Sequence, residues 1–261
     1  RNHSRGLVDL AVFEAGTVFL PPATLGTESI EPGAIRPSDA VIDQMNDSLP
    51  AQPWWVSGLF TGSQVPRGVG QSARPAGIAD AIDGARAAVE LIGGDLQVRA
   101  GVHPVFHPGR CAELLVAGQP VGYAGELLPR FATERDLPAT VAAFELDGSR
   151  VIELVADTLI QLNPLSAMPA ATQDISLLVP ADVPAGDIRQ ALIEGAGQLL
   201  ESCELTDDYR GDGVGEGLRS LTFALRFRAP DRTLTQAEAT EAKQAGLAVA
   251  HERYGASLRG E

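Results

Sequence analysis

The clearest alternation of apolar and polar residues lies in the second half of the chain and predicts β-strands with one buried face. Residues 174–179 place Ile175, Leu177 and Val179 on one side of an extended segment. Residues 220–228 follow a strict period of two, and their apolar side is formed by Leu221, Phe223, Leu225 and Phe227. Such alternation is typical of an antiparallel sheet that is covered on one side only.

Helical spacing of apolar residues alternates with these strands. In the first helix the apolar line is Ile188, Leu192, Ala196 and Leu199, and the second begins with a capping-box sequence, Thr235 and Glu238. The order β-α-β-β-α, with a possible edge strand at the end, predicts a ferredoxin-like split βαβ arrangement. The predicted segments are residues 174–179, 187–200, 203–211, 220–228, 235–255 and 256–260.

Strand patterns also dominate the first half of the chain, with two helices among them. A helix is predicted over residues 78–93, ended by Gly93 and Gly94, and another starts near Ser149. The first is expected to bury one line of side chains, Ile78, Ile82, Ala85, Val89 and Ile92. The predicted strands are a pair within residues 7–20 that turns at Glu14–Gly16, residues 53–62, a hairpin over residues 111–127 that turns at Gly118–Pro120, and residues 140–147. This pattern predicts an α+β fold based on an antiparallel sheet.

Two stretches of the chain lack the apolar periodicity of a helix or a strand. Residues 163–174 are rich in Pro, Ala and small polar residues and are typical of a linker. We therefore predict one domain over residues 1–166 and a second over residues 167–261. Residues 21–53 contain six prolines and little periodicity, which indicates a long loop or an insertion.

Composition narrows the functional classes. The net charge of -14 argues against a broad nucleic-acid surface, because such binding depends on clustered cations, so any RNA contact must be local. Lys243 is the single lysine, and arginine suits bidentate contacts better than lysine does, although codon bias also explains this usage. No apolar run is long enough to span a bilayer, and two distant cysteines favour a reducing compartment. A chain that begins at Arg1 is expected to be part of a longer one.

A His/Cys cluster is the first candidate for chemistry. His103, His107 and Cys111 are four residues apart, but Pro104 and Pro108 exclude a helix that would bring them onto one face. The spacing also lacks a fourth zinc ligand, and no orienting group marks Cys111 as a nucleophile. We expect Cys111 to be a core residue and His107 to form a structural hydrogen bond at a strand entrance.

Two further motifs are interpreted as structural. The glycines of residues 211–217 lie between two predicted strands rather than before a helix, so they predict a hairpin loop and not a phosphate loop. Among the nearby carboxylates, Glu204 and Asp208 are expected to be solvated. Asp207 shares a predicted strand face with Leu205 and Tyr209, so we expect it to bind a loop or backbone donors.

Three segments resemble a known family. The sequence "HPGRCAELLVAGQPVGYAGELLP" (residues 107–129) resembles a segment of the bacterial phenylalanyl-tRNA synthetase β subunit, and "LVDLAVFEAGTVF" is similar to one of its strand pairs. The segments "DYRG", "SLTFALRF" and "DRTLT" look like the ferredoxin-fold anticodon-binding domain of that subunit. The matches occur in the family's order over nearly the whole chain. The resemblance implies a class II synthetase-like domain without catalysis, followed by the anticodon-binding domain.

The class II nucleotide motifs are altered here. Val12 stands where the family of active enzymes has a strand arginine that binds ATP. The glycine-rich strand-to-helix motif is replaced at three positions, by Ala143, Glu145 and Asp147, and Arg150 alone is retained. Carboxylates in the space of a nucleotide would repel its phosphates, so we predict no catalytic residues, cofactor or metal site in this chain.

For the second domain, the resemblance implies RNA binding on the sheet face opposite the helices. In residues 220–228 the outward side chains are Ser220, Thr222, Ala224, Arg226 and Arg228. Where the family has an arginine and a phenylalanine, this chain has Gln173 and Thr206, which weakens base stacking at those positions, whereas Asp207, Tyr209 and Gly211 keep the pattern. The predicted RNA-binding residues are Tyr209, Arg210, Arg219, Arg226, Arg228 and Arg232.

The resemblance implies a scaffold for a catalytic α subunit and a binder of the anticodon region of tRNA(Phe). It also implies an α2β2 heterotetramer in the cytoplasm, with ATP and Mg²⁺ used by the α subunit, and no DNA or membrane partner. Two alternatives remain open from the residues: a protein-interaction module without RNA binding, and an independently active class II-like ligase.

Overall fold

The computed structural model describes residues 5–21, 36–158 and 168–260, and the chain divides into two compact units, Arg1–Gln161 and Leu162–Glu261. The first unit contains a six-stranded sheet and the second a four-stranded one, and every strand pair described in both is antiparallel. The predicted α+β class is confirmed. The predicted boundary at residue 166 falls in a stretch outside the described residues.

The sheet of the first unit has the order β1-β2-β8-β7-β6-β5, and a separate small ribbon pairs β3 with β4. The strands are β1 (Leu10–Thr17), β2 (Trp54–Thr61), β3 (Ser63–Val65), β4 (Arg74–Pro75), β5 (Leu96–Ala100), β6 (Phe106–Val116), β7 (Gln119–Leu127) and β8 (Val141–Asp147). The helices are α1 (Asp39–Asp47), α2 (Ile78–Glu90), α3 (Pro129–Glu134) and α4 (Gly148–Val155).

The predicted buried line of helix α2 is confirmed at Ala85 and Val89, whereas its isoleucines are less buried. Its buried residues are Ala81, Ala85 and Val89, whereas Ile82 is half-buried and Ile92 is exposed. A Cβ at Gly84 would lie only 2.7 Å from the ring of Phe60, so the helix and the sheet approach closely where side chains are smallest.

Three predicted features of the first unit are corrected. Residues 10–17 form one strand without a turn at Glu14–Gly16, because each residue pairs with β2, which is the true return strand. The β6–β7 turn consists of Ala117 and Gly118, with φ of 49° and 72°, rather than Gly118–Pro120. Two residues of positive φ match the twist of the flanking strands. The stretch over residues 21–53, predicted as a long loop or an insertion, contains the helix α1 and so is not all loop, and residues 22–35 lie outside the described chain.

The second unit follows the predicted ferredoxin-like order. The sheet order β10-β11-β9-β12 places β9 and β11 in the centre, and both helices cover the same face. The predicted apolar faces of β9 and β11 are buried in this core together with Ile188 and Leu192. The elements are β9 (Ala171–Pro180), α5 (Ala185–Ala196), β10 (Leu200–Tyr209), β11 (Leu218–Phe227), α6 (Gln236–Tyr254) and β12 (Ser257–Leu258).

At the ends of these elements, one prediction from the sequence is corrected and another is confirmed. The predicted linker over residues 163–174 overlaps β9, since Ala171–Asp174 pair with β11, and residues 163–167 lie outside the described chain. The capping box of α6 is confirmed, with the Thr235 backbone N–H donating to the Glu238 carboxylate over 2.9 Å. Among the described residues, none of the helices is both long and apolar enough to span a membrane.

Candidate nucleic-acid interface

The second unit leaves one face of its sheet without a helix in the described residues. Side chains that alternate with the core positions project from this open face, and the register across β10, β11 and β9 brings hydroxyl groups together in its centre. Ser176 and Thr222 form a 2.9 Å hydrogen bond there, and the Thr206 hydroxyl donates to the Thr222 carbonyl. The open face is therefore a polar platform. Its middle also carries three carboxylates, Asp207 opposite Thr222 and both Glu204 and Asp174 opposite Ala224, whereas its arginines and Tyr209 lie toward the two ends.

A β-bulge in β10 places the Tyr209 side chain on this open face. The register of β10 shifts between Leu205 and Asp207, so Leu205 pairs with the core residue Phe223 while Tyr209 pairs with Ser220. Because a bulge inserts one residue, side chains after it change face. The prediction that Asp207 and Tyr209 share the face of Leu205 is wrong for this reason.

Tyr209 forms a pair with an arginine that the sequence did not reveal. The guanidinium carbon of Arg259 lies 5.1 Å from the centre of the Tyr209 ring, and its Nη1 donates to the Ser220 hydroxyl over 3.4 Å. Arg259 directly follows β12, and its backbone N–H donates to the Ser176 carbonyl over 3.0 Å. The edge strand thus brings Arg259 beside Tyr209.

Both groups of the Tyr209–Arg259 pair are exposed. Tyr209 retains 37% of its accessible surface, and Arg259 forms no ion pair with any described residue. The Tyr209 hydroxyl donates to the Asp212 carbonyl over 3.2 Å. A Cβ at Gly211 would lie 2.6 Å from the Tyr209 hydroxyl oxygen, so a larger residue at that position would displace the Tyr209 ring.

The other end of the open face carries Arg226 and Arg228 around one carboxylate. The Nε of Arg226 donates to Glu201 over 2.5 Å, and the Nε of Arg228 donates to its other oxygen over 2.9 Å. These hydrogen bonds, that of Arg226 first, lower the pKa of Glu201. Arg228 is largely buried and also donates to the Met168 carbonyl, whereas the Arg226 side chain keeps 48% of its surface.

Arg219, one of the predicted RNA-binding residues, lies on the core side of β11 and not on the open face. Its side chain projects from the same face of β11 as that of Leu221, and Arg219 is 6% exposed. The guanidinium donates to Asp208 over 2.8 Å and to the Val183 carbonyl over 2.5 Å. Asp208 also accepts a hydrogen bond from Arg210. The expectation that Asp208 is merely solvated is wrong, since it is Asp208 that holds two arginines.

Arg232 lies at the start of α6. It donates to Glu238 over 2.8 Å and contacts Asp231, so its charge is compensated locally. Gln173 projects toward α6, where its amide donates to the Thr240 hydroxyl over 3.0 Å. Of the six predicted residues, the structure thus places Tyr209 and Arg226 as exposed groups on the open face.

Comparison with known proteins agrees with this architecture. A family profile described as "Phenylalanyl tRNA synthetase beta chain CLM domain" matches residues 1–148. The chain belongs to the phenylalanyl-tRNA synthetase β chain family. A second profile, "Ferredoxin-fold anticodon binding domain", matches residues 166–259 and so covers the open-faced sheet. The predicted resemblance and the ferredoxin-like arrangement are both confirmed.

Related proteins match over almost the whole chain. The phenylalanine–tRNA ligase β subunit of Leifsonia xyli subsp. xyli is 52% identical over 99% of this chain, and that of Streptomyces avermitilis is 43% identical over 99%. The corresponding subunit of Thermobifida fusca is 43% identical over the full chain. The chain spans about a third of these relatives, 31% to 32% of their length.

The class II-like sheet of this family member carries a row of carboxylates on the face opposite α2. Cross-strand pairing aligns Glu14 with Ser57, Ser57 with Glu145, Glu145 with Tyr123, and Tyr123 with Glu113. Cross-strand partners project from the same face of a sheet. Val12, Leu59 and Ala143 form the neighbouring row and supply no cation there. The row of carboxylates ends at Arg99, which pairs with Glu113 across β5 and β6 and donates to its carboxylate over 2.5 Å.

The remaining class II motif residues have structural partners. The Asp147 carboxylate accepts from the Arg150 backbone N–H over 2.9 Å and caps α4. The Arg150 guanidinium donates to Glu153 over 2.9 Å and to Gln119. On this face Arg99 is already paired with Glu113, and Glu14 and Glu145 form no ion pair within the described residues, so these carboxylates would repel the phosphates of a nucleoside triphosphate.

The His/Cys cluster and the glycine-rich loop serve the fold. The Gly109 backbone N–H donates to His107 Nδ1 over 3.1 Å, which confirms the structural hydrogen bond. Cys111 is buried, and burial raises the pKa of its thiol. The ring of His103 lies 4.8 Å from that of Tyr123, and no group of three metal-ligating side chains occurs within the described ranges. Residues 210–217 connect β10 and β11 as a hairpin loop, as predicted.

Proposed function

We propose that this chain contributes the anticodon-binding and α-docking parts of a phenylalanine–tRNA ligase β subunit. The open face of the second unit binds the anticodon region of tRNA(Phe). In a cytoplasmic α2β2 assembly, the α subunit uses ATP and Mg²⁺ to aminoacylate that tRNA. The observation that carries the RNA-binding part is the exposed Tyr209–Arg259 pair.

The chemistry of this pair suits an unpaired base. An aromatic ring beside a guanidinium offers a flat, polarised surface, and bases of single-stranded loops stack on such surfaces. The Arg259 charge has no ion-pair partner in the part of the chain that the structure describes, so it remains available to RNA. Hydroxyl groups nearby, such as Ser176 and Thr222, supply donors and acceptors for base edges.

The test is binding of an anticodon stem-loop of tRNA(Phe) to the 261-residue chain, with Tyr209→Ala and Arg259→Ala beside the wild type. Base–aromatic stacking contributes roughly 1–3 kcal/mol, so we expect Tyr209→Ala to weaken binding by about fivefold or more. Arg253→Ala is the matched control, because Arg253 is an exposed arginine on α6 that pairs with Glu194. Equal losses for Arg253→Ala and Arg259→Ala, or no binding by the wild type, would contradict the proposal.

The α-docking part is supported by an apolar cleft in the first unit. The cleft of about 480 Å³ lies between β1, β2 and β8 and the helices α2 and α4. Its rim carries Phe13 and Leu91, which are 82% and 83% exposed, and Ile152 at 51%. Clustered exposed apolar side chains of this kind mark protein interfaces.

Copurification with the α subunit tests this part. We expect Phe13→Asp to reduce recovery of α severalfold, because a carboxylate would be buried in an apolar contact. Val69→Asp is the control, since Val69 is fully exposed in the same unit and does not line the cleft. Retention of α by Phe13→Asp would place the interface elsewhere.

A protein-interaction module without RNA binding is the second candidate, favoured by the net charge of -14. It predicts binding of α but no specific binding of the stem-loop. An independently active ligase would catalyse ATP–pyrophosphate exchange without α, which the carboxylate row argues against.

A further inference from the structure

Glu201 occupies an unusual position on the open face of the second unit. The register of β10 shifts between Leu200 and Ser202, which pair with Phe227 and Arg226, so Glu201 is the extra residue of a bulge. A bulge redirects a side chain without ending the strand. Here it directs one carboxylate toward two arginines.

The two arginines of this triad are held in different ways. Arg228 is only 16% exposed, and it donates to Glu201, to the Met168 carbonyl and, through its backbone, to the Leu199 carbonyl. Arg226 is 48% exposed and uses only its Nε toward Glu201. Its two terminal nitrogens form no hydrogen bond with any residue that the structure describes.

We propose that Glu201 is a positioning residue that holds the Arg226 guanidinium with its terminal nitrogens outward, ready for a backbone phosphate of the bound RNA. This inference rests on the proposed RNA binding. Arginine binds phosphate through two parallel N–H groups, and a fixed guanidinium loses less conformational freedom on binding. The triad keeps one net positive charge, from two arginines and one carboxylate, so an anion is still attracted.

The proposal and simple charge counting predict opposite changes in RNA affinity when Glu201 is removed. Removing a carboxylate near a phosphate should tighten binding, but removing a carboxylate that orders Arg226 should weaken it. We expect Glu201→Ala to weaken binding of the anticodon stem-loop about three- to tenfold, the range that ordering one long side chain contributes. Glu201→Gln keeps one acceptor oxygen and should recover part of the loss.

Two matched carboxylates serve as controls. Glu204 lies on the same strand and, in the described chain, forms no ion pair, so Glu204→Ala removes the same charge without disturbing an arginine. It should leave binding unchanged or tighten it about twofold. Glu194 pairs with Arg253 on the helical side, and Glu194→Ala should leave RNA binding unchanged.

A double-mutant cycle separates positioning from general damage to the fold. In the Arg226→Ala background, Glu201→Ala should no longer weaken binding, since the group that it positions is absent. Binding is measured on the 261-residue chain, with thermal unfolding as a check on folding. A loss that persists without Arg226 would show a merely structural role and overturn the inference.

The remaining outcomes are also decisive. Unchanged or tighter binding by Glu201→Ala, with normal binding by the wild type, would overturn the positioning role alone and leave the proposed function standing. Absence of binding by the wild type would defeat the proposed function, and the role of Glu201 would fall with it.

Discussion

At the scale of single residues, two arginines of β11 have different roles because their side chains project from opposite faces of the strand. Arg219 shares its side of β11 with Leu221 and is buried against Asp208, whereas Arg226 projects from the open face. Buried arginines stabilise a fold only while all their partners remain, because the partner left behind is then unpaired. Arg219 therefore belongs to the architecture of the β10–β11 hairpin.

We predict that Arg219→Ala destabilises the second unit by about 2 kcal/mol, since the Val183 carbonyl loses its side-chain donor and Asp208 loses one of its two arginines. Native-state hydrogen exchange of amides in β10 and β11 measures the change. Arg226→Ala is the exposed control and should cost less than about 0.5 kcal/mol. An Arg219→Ala protein of normal stability that binds RNA poorly would restore Arg219 as a contact residue.

At the scale of elements, the two helices of the second unit cross at a glycine contact. A Cβ at Gly195 would lie 2.5 Å from the Ala245 carbonyl oxygen, and one at Gly246 would lie 2.8 Å from that of Leu192. Backbone atoms cannot move aside as a flexible side chain can, so these positions require glycine. A Cβ at Gly186, in the same helix as Gly195, would have no described atom within 4 Å.

This contrast gives a prediction within α5. Gly195→Ala should destabilise the unit by about 1–3 kcal/mol through overpacking. Gly186→Ala should stabilise it by about 0.5–1 kcal/mol, because alanine restricts the unfolded chain and favours a helix. Calorimetric melting temperatures of both variants test the difference. A stabilising effect of Gly195→Ala would mean that the helices can separate at no cost.

The start of α6 supplies a pH-dependent contribution to stability. Backbone and side-chain hydrogen bonds from Thr235, together with the hydrogen bond from Arg232, lower the pKa of Glu238 from 4.5 to about 2. A carboxyl whose pKa is lower in the folded state stabilises the fold above its unfolded pKa of 4.5. That stabilisation declines as the pH falls from 4.5 to about 2.

We predict that Glu238→Gln melts at a lower temperature than the wild type at pH 7 and that the two converge near pH 2. Melting curves of both proteins at about pH 7, 3.5 and 2 show the difference directly. Asp187→Asn, in the first turn of α5, controls for loss of an exposed carboxylate at a helix start. A constant gap between Glu238→Gln and the wild type at every pH would contradict this account.

At the scale of the whole molecule, a strongly acidic chain presents few free cations. Most arginines described in the second unit are paired with carboxylates, and the exposed groups on the open face with nitrogens left to donate are Arg226 and Arg259. An RNA bound through two phosphate contacts releases few counterions. Specificity must then come from stacking and hydrogen bonds more than from charge.

The corresponding prediction concerns salt. The slope of log affinity for the stem-loop against log salt should have a magnitude of about 1–2, because each contact to single-stranded RNA contributes about 0.7. Arg226→Ala should reduce that slope by about 0.7. Titrations by fluorescence anisotropy between low and high salt provide the slopes. A slope several times steeper would indicate an RNA surface beyond the open face.

The sequence by itself determined the elements whose signals are local. Period-two alternation located the strands of the second unit, and Thr235 with Glu238 marked the start of α6. The glycine-rich hairpin loop and the structural hydrogen bond of His107 were likewise predictable from neighbouring residues. Chain order then indicated the ferredoxin-like arrangement, because few topologies fit β-α-β-β-α.

Only the tertiary structure decided which groups form the candidate site. The bulge at Leu205–Asp207 moves Tyr209 to the open face, and pairing of β12 with β9 brings Arg259 beside it. The second bulge places Glu201 between two arginines. These features depend on strand register and on contacts between distant segments. One inserted residue reverses the face of every later side chain, and no local pattern in this sequence marks where that insertion falls.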